Sequence, residues 1–538
     1  MINIDNTIKK LIRLEPLFFY LIVLLYLIPV LAFKFFPTVD GPAHLYNSNL
    51  IFELWTNTDG PISNYFQFNN TITPNWSGHF LLSTLVSILP GFMAEKLVLI
   101  FYLAGFPIAI RYLFKQIGIN SKYLIYLIFP FTYSYLFYYG FYNYNLGLVF
   151  LFWGIGLWIK LNQERSLKSF IKLILISTVI CFSHLFVFGI FLIVIFILSF
   201  DQFRSLWGSD KNQRIDSIKN YFFQLTCVTP GIILLFLFLF SEKTLDASTT
   251  SLPISDLLVS LKYIMPVKGI HYDQYGFISK TLLYTFTSLI FWLLAVKTYN
   301  LVSKKEFSSP HKNWLLICLS IFILIFILPD YIGAAAGFIS ARLISLFFIF
   351  LIIWLSTQVF PKWLIGCFFI VINIVNIMVV IHNYRARSNT HEITTELDKV
   401  AQHIEDYSVV LPIVYSDNFL DKHISNYLGA EKPLIILENY EASMNHFPLV
   451  WNYEKIPFLH LGDLELPDCI SWPISPPPSN EKIVIDYVCV FKNDPNIINY
   501  KCFEQIKKNL IENYNLIYET DKKLIQLYKK KLPLTIAR

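Results

Sequence analysis

The run "LFFYLIVLLYLIPVLAFKFFPTVD", residues 17–40, decides the fold class. Its apolar part, residues 17–35, matches the roughly 20 residues that cross a bilayer. A secretory h-region is shorter, about 7 to 15 residues, and ends at small residues, whereas this run continues into "FKFFPTVD". With Lys9, Lys10 and Arg13 ahead of it, the run reads as an uncleaved first span with its N-terminus inside. Composition agrees. Of 538 residues, 55% are hydrophobic and 15% charged, with a mean hydropathy of +0.52, against about 25% charged in soluble domains. The chain is therefore expected to be a polytopic α-helical membrane protein. Its net charge of +6 is assigned to inward-facing basic turns rather than to a nucleic-acid partner.

Working outward, apolar length and the placement of Lys and Arg predict about eleven spans. They are residues 17–35, 94–113, 123–139, 141–161, 170–182, 184–200, 221–240, 278–296, 314–328, 343–359 and 363–382. The basic turn "RYLFKQIGINSK" must stay inside, so "NWSGHFLLSTLVSILPGF", residues 75–92, is expected to lie at the outer surface, broken at Pro90-Gly91. The run around "CFSHLF" reads as two short helices or one long tilted one. The transmembrane domain is thus 1–382, with an external loop 36–93. An odd span count puts 383–538 outside. There, β-like runs ("VVLPIVY", "PLIIL", "KIVIDYVCVF", "LIQLY") alternate with helical stretches such as "PNIINYKCFEQIKKNLIENYN", predicting a small extracytoplasmic α/β domain. Cys469, Cys489 and Cys502 fall in it at spacings unlike a zinc site.

Directly behind the first span, "TVDGPAHLYNSNL" places Asp40 just outside the membrane and His44 one helical turn later on the same face. Asp is a good N-cap and Pro42 suits a first turn, so Asp40 is either a capping residue or a reactive carboxylate at headgroup level. Tyr46 and Asn47 add polar groups beside it.

This layout resembles the GT-C fold glycosyltransferases, the superfamily of the protein mannosyltransferases and the aminoarabinose transferases of lipid A. The shared features are a long first span, an acid opening the first external loop, a surface helix in that loop, many further spans and an external C-terminal domain. The resemblance implies a bacterial inner (plasma) membrane enzyme, N-terminus cytoplasmic, that moves a sugar from a polyprenyl-phosphate donor to a glycan, lipid or protein acceptor outside. In that superfamily the loop acid is usually one of a pair and acts as base or helps hold a metal ion. Here only Asp40 matches, and Gly41 stands where a second acid often does. A divalent metal stays open as a cofactor, with no ligand set assigned.

One acid is chemically sufficient. Glycosidases need two carboxyl groups because an alkoxide leaving group must be protonated, whereas a polyprenyl phosphate leaves as a stable anion. Transfer then needs a base for the acceptor hydroxyl, assigned to Asp40 with His44, and groups that hold the departing phosphate. Arg342, at the outer end of a span, fits bidentate phosphate pairing and equally a snorkelling arginine; His184 and His79 join it as candidates. For the acceptor, "KGIHYDQYGF" offers His271, Tyr272 and Asp273, and "ENYEASMNHFPLVWN" offers His446 together with Glu438, Tyr440, Glu441 and Trp451. That second run suits packing as well as sugar stacking. No Walker A, GxGxxG, HExxH or CxxC pattern occurs. Two rival readings stay open: a transporter or flippase of lipid-linked glycans, and a non-catalytic envelope assembly protein.

Overall fold

The computed structural model describes residues 4–531 except 71–73, 120–122, 165, 206–214, 216–217, 220–221, 242–247, 268–275, 304–310, 334–335, 417, 445, 456–484, 493 and 495–502. Among the described residues, six helices are long and apolar enough to cross a membrane: Leu14–Ala32, Gly91–Ile117, Tyr142–Gln163, Gly276–Val302, Ile339–Ser356 and Lys362–Ser388. The remaining expected spans coincide with shorter helical segments, namely Tyr123–Tyr138, Leu167–Ser183, Leu185–Phe200, Thr229–Phe238 and Lys312–Ile327.

One local difference has a physical cause, and two local expectations hold. Residues 123–139 form a 3-10 helix over Tyr123–Phe131 and a short α-helix over Tyr135–Tyr138 instead of one α-helix. Pro130 closes the first piece, because its ring leaves no N–H for the next turn. The "CFSHLF" run is two helices, Leu167–Ser183 and Leu185–Ser205, parted at His184, whose backbone is extended. The loop helix covers Trp76–Val86, and the next helix starts at Gly91 just after Pro90.

The chain divides into two compact units: Met1–Pro29, Ile100–Tyr138 and Asn143–Tyr384; and Val30–Leu99, Tyr139–Tyr142 and Arg385–Arg538. One division falls after Tyr384, and residues 36–93 group with the C-terminal residues rather than with the long apolar helices. In the first unit, some polar residues on apolar helices are paired. Arg111 donates to both oxygens of Glu15 at 2.8 Å, satisfying charges that would be costly alone at membrane depth. Tyr26 donates to Asn376 Oδ1 (3.1 Å) and Tyr133 to the Tyr26 carbonyl (2.6 Å), stitching helices together.

The second unit holds a five-stranded sheet in the order Ile435–Ile436, Val409–Tyr415, Tyr487–Lys492, Ile525–Lys530, Tyr514–Glu519. The first two pairings are parallel and the last two antiparallel. "VVLPIVY" is apolar almost throughout because its strand is buried on both faces. Pro412 is tolerated there for a register reason. The Ser408 and Val410 carbonyls accept from Ile435 and Leu437, so even-numbered residues turn towards that neighbour. Pairing ends at Val410, and the missing N–H of Pro412 falls beyond it. The helix covers Phe503–Asn513, and Tyr514 and Asn515, expected as its end, instead begin the strand Tyr514–Glu519. Loop and C-terminal residues also share a small antiparallel sheet, Phe66–Phe68 with Leu449–Trp451. Cys489 is a buried free thiol in its strand; Cys469 and Cys502 lie outside the described residues.

Candidate active site

The helix Gly41–Thr56 begins where the sequence predicts, with Asp40 at its N-cap and Pro42 in its first turn. The Asp40 side chain, however, makes no capping bond. Thr38 Oγ1 instead accepts the Gly41 N–H at 3.1 Å, and the Asp40 N–H is held by the Tyr139 carbonyl at 3.0 Å. The carboxylate is therefore free for other partners. It accepts a hydrogen bond from Tyr440, and its Oδ1 lies 3.9 Å from His423 Nε2. Its side chain is 15% exposed against 5% for His423, so Asp40 is the reachable member of the pair.

Glu438 sits behind His423, bonded to its Nδ1 and also receiving Ser425 Oγ at 3.3 Å and the Asn426 amide. Acid, imidazole and acid thus form a chain in which Glu438 fixes the ring that faces Asp40; Tyr440 stacks on the same ring at 4.3 Å. Burial raises the Asp40 pKa, and the attraction of His423 and His44 offsets only part of it, which makes the carboxylate a stronger base than a solvated aspartate.

For His423, burial works towards a lower pKa, but Glu438 and Asp40 outweigh it and raise the value above 6.5. A histidine raised in the folded state contributes stability that is complete below its unfolded pKa and is lost as pH climbs through the folded value. His423→Gln is therefore expected to reduce the fall in unfolding temperature above pH 6.5, measured on purified protein across a pH series. An unchanged slope would remove the charged pairing.

One turn along, His44 is buried and donates through Nε2 to the Gly140 carbonyl at 3.0 Å. Its Nδ1 lies 2.6 Å from Glu441 Oε1. His79, expected to face donor phosphate, is fully buried and reaches Glu441 Oε2 through Nε2 at 2.9 Å, with its Nδ1 on the Asn75 carbonyl at 3.2 Å. Burial disfavours the charged Glu441, but the two imidazoles overcome it and hold its pKa at about 2. Asn47 orients this carboxylate, donating to Oε2 at 3.0 Å and exchanging amide bonds with Asn439. Donor atoms of His44, His79 and Glu441 lie within 4.8 Å of one another, close enough to hold a metal ion.

Beside Gly41 lies a second acid that residues 36–93 do not contain. Glu95 accepts from Tyr142 and Tyr427, each at 2.8 Å, and its Oε1 is 2.8 Å from where a Gly41 Cβ would stand. Tyr142 and Thr38 crowd the same point. Gly140 is needed for a similar reason: its φ is +85°, and a Cβ there would meet the Asp40 and Gly41 nitrogens at 2.8 Å.

The structure thus brings Asp40, His44 and His79 into one cluster. His446 flanks it through Phe447, whose ring is 4.6 Å from His446, 5.8 Å from His79 and 6.1 Å from His44. Arg342 and His184 belong to the other unit. There they meet on one ring: the Arg342 guanidinium lies 5.3 Å from the Tyr144 centroid and His184 packs edge-on to it at 5.6 Å. Arg342 is buried near Asp330, which caps the Ile339–Ser356 helix through the Ser340 N–H at 2.8 Å. His271, Tyr272 and Asp273 lie outside the described residues. No family model and no curated protein matches the chain. His423 and Glu95 carried no motif. The one available signal was that an acid near the start of an apolar run, as in "AEKLVLIF", is costly enough to need a purpose.

Proposed function

We propose that the chain is a membrane glycosyltransferase of GT-C type, moving a sugar from a polyprenyl-phosphate donor to an extracytoplasmic acceptor with Asp40 as general base. The observation that carries this reading is the Asp40 carboxylate. It heads a helix without capping it, stays partly exposed among buried groups, and faces an imidazole held by a second acid. Such an acid accepts the acceptor's hydroxyl proton as the sugar's anomeric carbon is attacked, and the donor's phosphate leaves without needing protonation. His423 and Tyr440 set the orientation of Asp40, and Glu95 supplies the second carboxylate that Gly41 does not. His446 is the group proposed for the acceptor; Arg342 and His184 belong to the other unit and stay expectations of the sequence alone.

The proposed topology completes the reading: about eleven spans, N-terminus cytoplasmic, and the residues after 383 outside in a bacterial inner membrane. Cells lacking the protein should lose one sugar from an envelope glycan, lipid or protein while its precursor and the lipid-linked donor accumulate. Unchanged surface glycans would remove the transferase reading.

A further inference from the structure

The trio behind Asp40 has the chemistry of a metal site. Its three side chains come from separate elements: His44 from the helix Gly41–Thr56, His79 from the helix Trp76–Val86, and Glu441 from the turn Glu441–Ser443. All are buried, with 4%, 0% and 1% of their surface exposed. Each imidazole spends its N–H on a main-chain carbonyl, His44 Nε2 on Gly140 and His79 Nδ1 on Asn75. That arrangement leaves the other nitrogen of each ring, His44 Nδ1 and His79 Nε2, turned towards Glu441; protonated, it pairs with the carboxylate, and on losing that proton it offers a metal its lone pair. Metal-binding histidines are oriented in this way, and ligating carboxylates are in turn hydrogen-bonded, as Asn47 does for Glu441.

A purely hydrogen-bonded strut would close the remaining contacts with well-directed bonds. Instead His44 Nδ1 and Glu441 Oε1, 2.6 Å apart, are both buried without a directed hydrogen bond. The two rings stand at 89° with centroids 5.0 Å apart, and the donor atoms of the three side chains lie within 4.8 Å of one another.

We propose that His44, His79 and Glu441 bind one divalent transition-metal ion, with zinc the best match to two imidazoles and a carboxylate. Zinc takes nitrogen and oxygen donors at about 2.0–2.2 Å, and sites with three protein ligands keep a fourth position open for water or substrate. Tetrahedral bonds of that length set donors about 3.3–3.5 Å apart. The observed 2.6 Å and 2.9 Å contacts then have to open by less than about 1 Å. The site does not depend on the transferase reading, and its test needs no activity.

Full-length protein purified in detergent, stripped with a chelator and titrated with zinc should bind one equivalent per chain. Glu441→Gln and His79→Gln should weaken binding by about 100-fold or more, and Asn47→Ala, which leaves all three ligands in place and removes the hydrogen bond that supports Glu441 along with those to Asn439, by about 10- to 100-fold. His403→Gln should bind as the unaltered protein does, since His403 packs on Tyr518 away from the trio. Because a ligand variant could fail to fold, cobalt(II) is added to the unaltered protein, where intense visible absorption of a four-coordinate ion is expected. No saturable zinc binding, cobalt spectra of a hydrated six-coordinate ion, or equal zinc affinity in folded Glu441→Gln and His79→Gln variants would overturn the assignment.

Discussion

Asp40→Asn protein is expected to accumulate in membranes at normal levels, bind the lipid-linked donor, and lose about 10²- to 10⁴-fold of its transfer rate, the usual contribution of a general base. The helix should survive the change. Thr38, not Asp40, satisfies the first helical N–H, and an asparagine oxygen can still accept the Tyr440 hydroxyl that bonds Asp40. The lost property is basicity, which burial raises in the native carboxylate. Donor binding and unfolding temperature therefore serve as controls. A variant that folds, binds donor and transfers at a near-normal rate would reduce Asp40 to the residue that happens to precede a helix.

Gly41→Asp, which restores the paired acids usual in the superfamily resembled, is expected to damage the protein rather than improve it. The Cβ would sit 2.8 Å from Glu95 Oε1 and closer still to Tyr142 and Thr38. Overpacking costs about 1–3 kcal/mol, and a second carboxylate without a partner adds a desolvation penalty of about 1–3 kcal/mol or more. The variant should therefore accumulate poorly and unfold at a lower temperature in detergent. A second change, Glu95→Ala, should recover part of the loss, because the two carboxylates compete for one space; energies that simply add would show that they do not interact. Full stability and activity of Gly41→Asp alone would contradict the packing around Gly41.

What the sequence revealed follows the range of the forces involved. Apolar length is a local property, so the long spans and the helix start at Asp40 were legible, as was His44 one turn on. The run 123–139 shows the limit: its apolar content is that of a span, but Pro130 and its crowded aromatics give a 3-10 piece and a separate short helix. Tyr514 and Asn515 read as helix because the charged, helix-forming residues before them carry the pattern past Asn513, where the strand begins. At the site the difficulty is distance along the chain. Glu441 approaches His79 from 362 residues away and His44 from further still, and no spacing rule links them. His423 and Glu438 look like ordinary polar residues of a loop until the fold sets them beside Asp40. Glu95 reads as an acid at a helix start, and only the fold shows that it fills the space a side chain at Gly41 would need.

The most direct test of the transferase reading follows both halves of the donor at once. Purified protein is reconstituted in liposomes with a polyprenyl phosphate carrying a labelled sugar and with extracts containing candidate acceptors. Release of free polyprenyl phosphate is measured alongside the position of the labelled sugar. The expected result is release matched by label on an acceptor, with both lost in Asp40→Asn. Intact donor crossing the bilayer with its sugar attached, equally fast in the unaltered protein and in Asp40→Asn, would contradict it and make the chain a transporter of lipid-linked sugars.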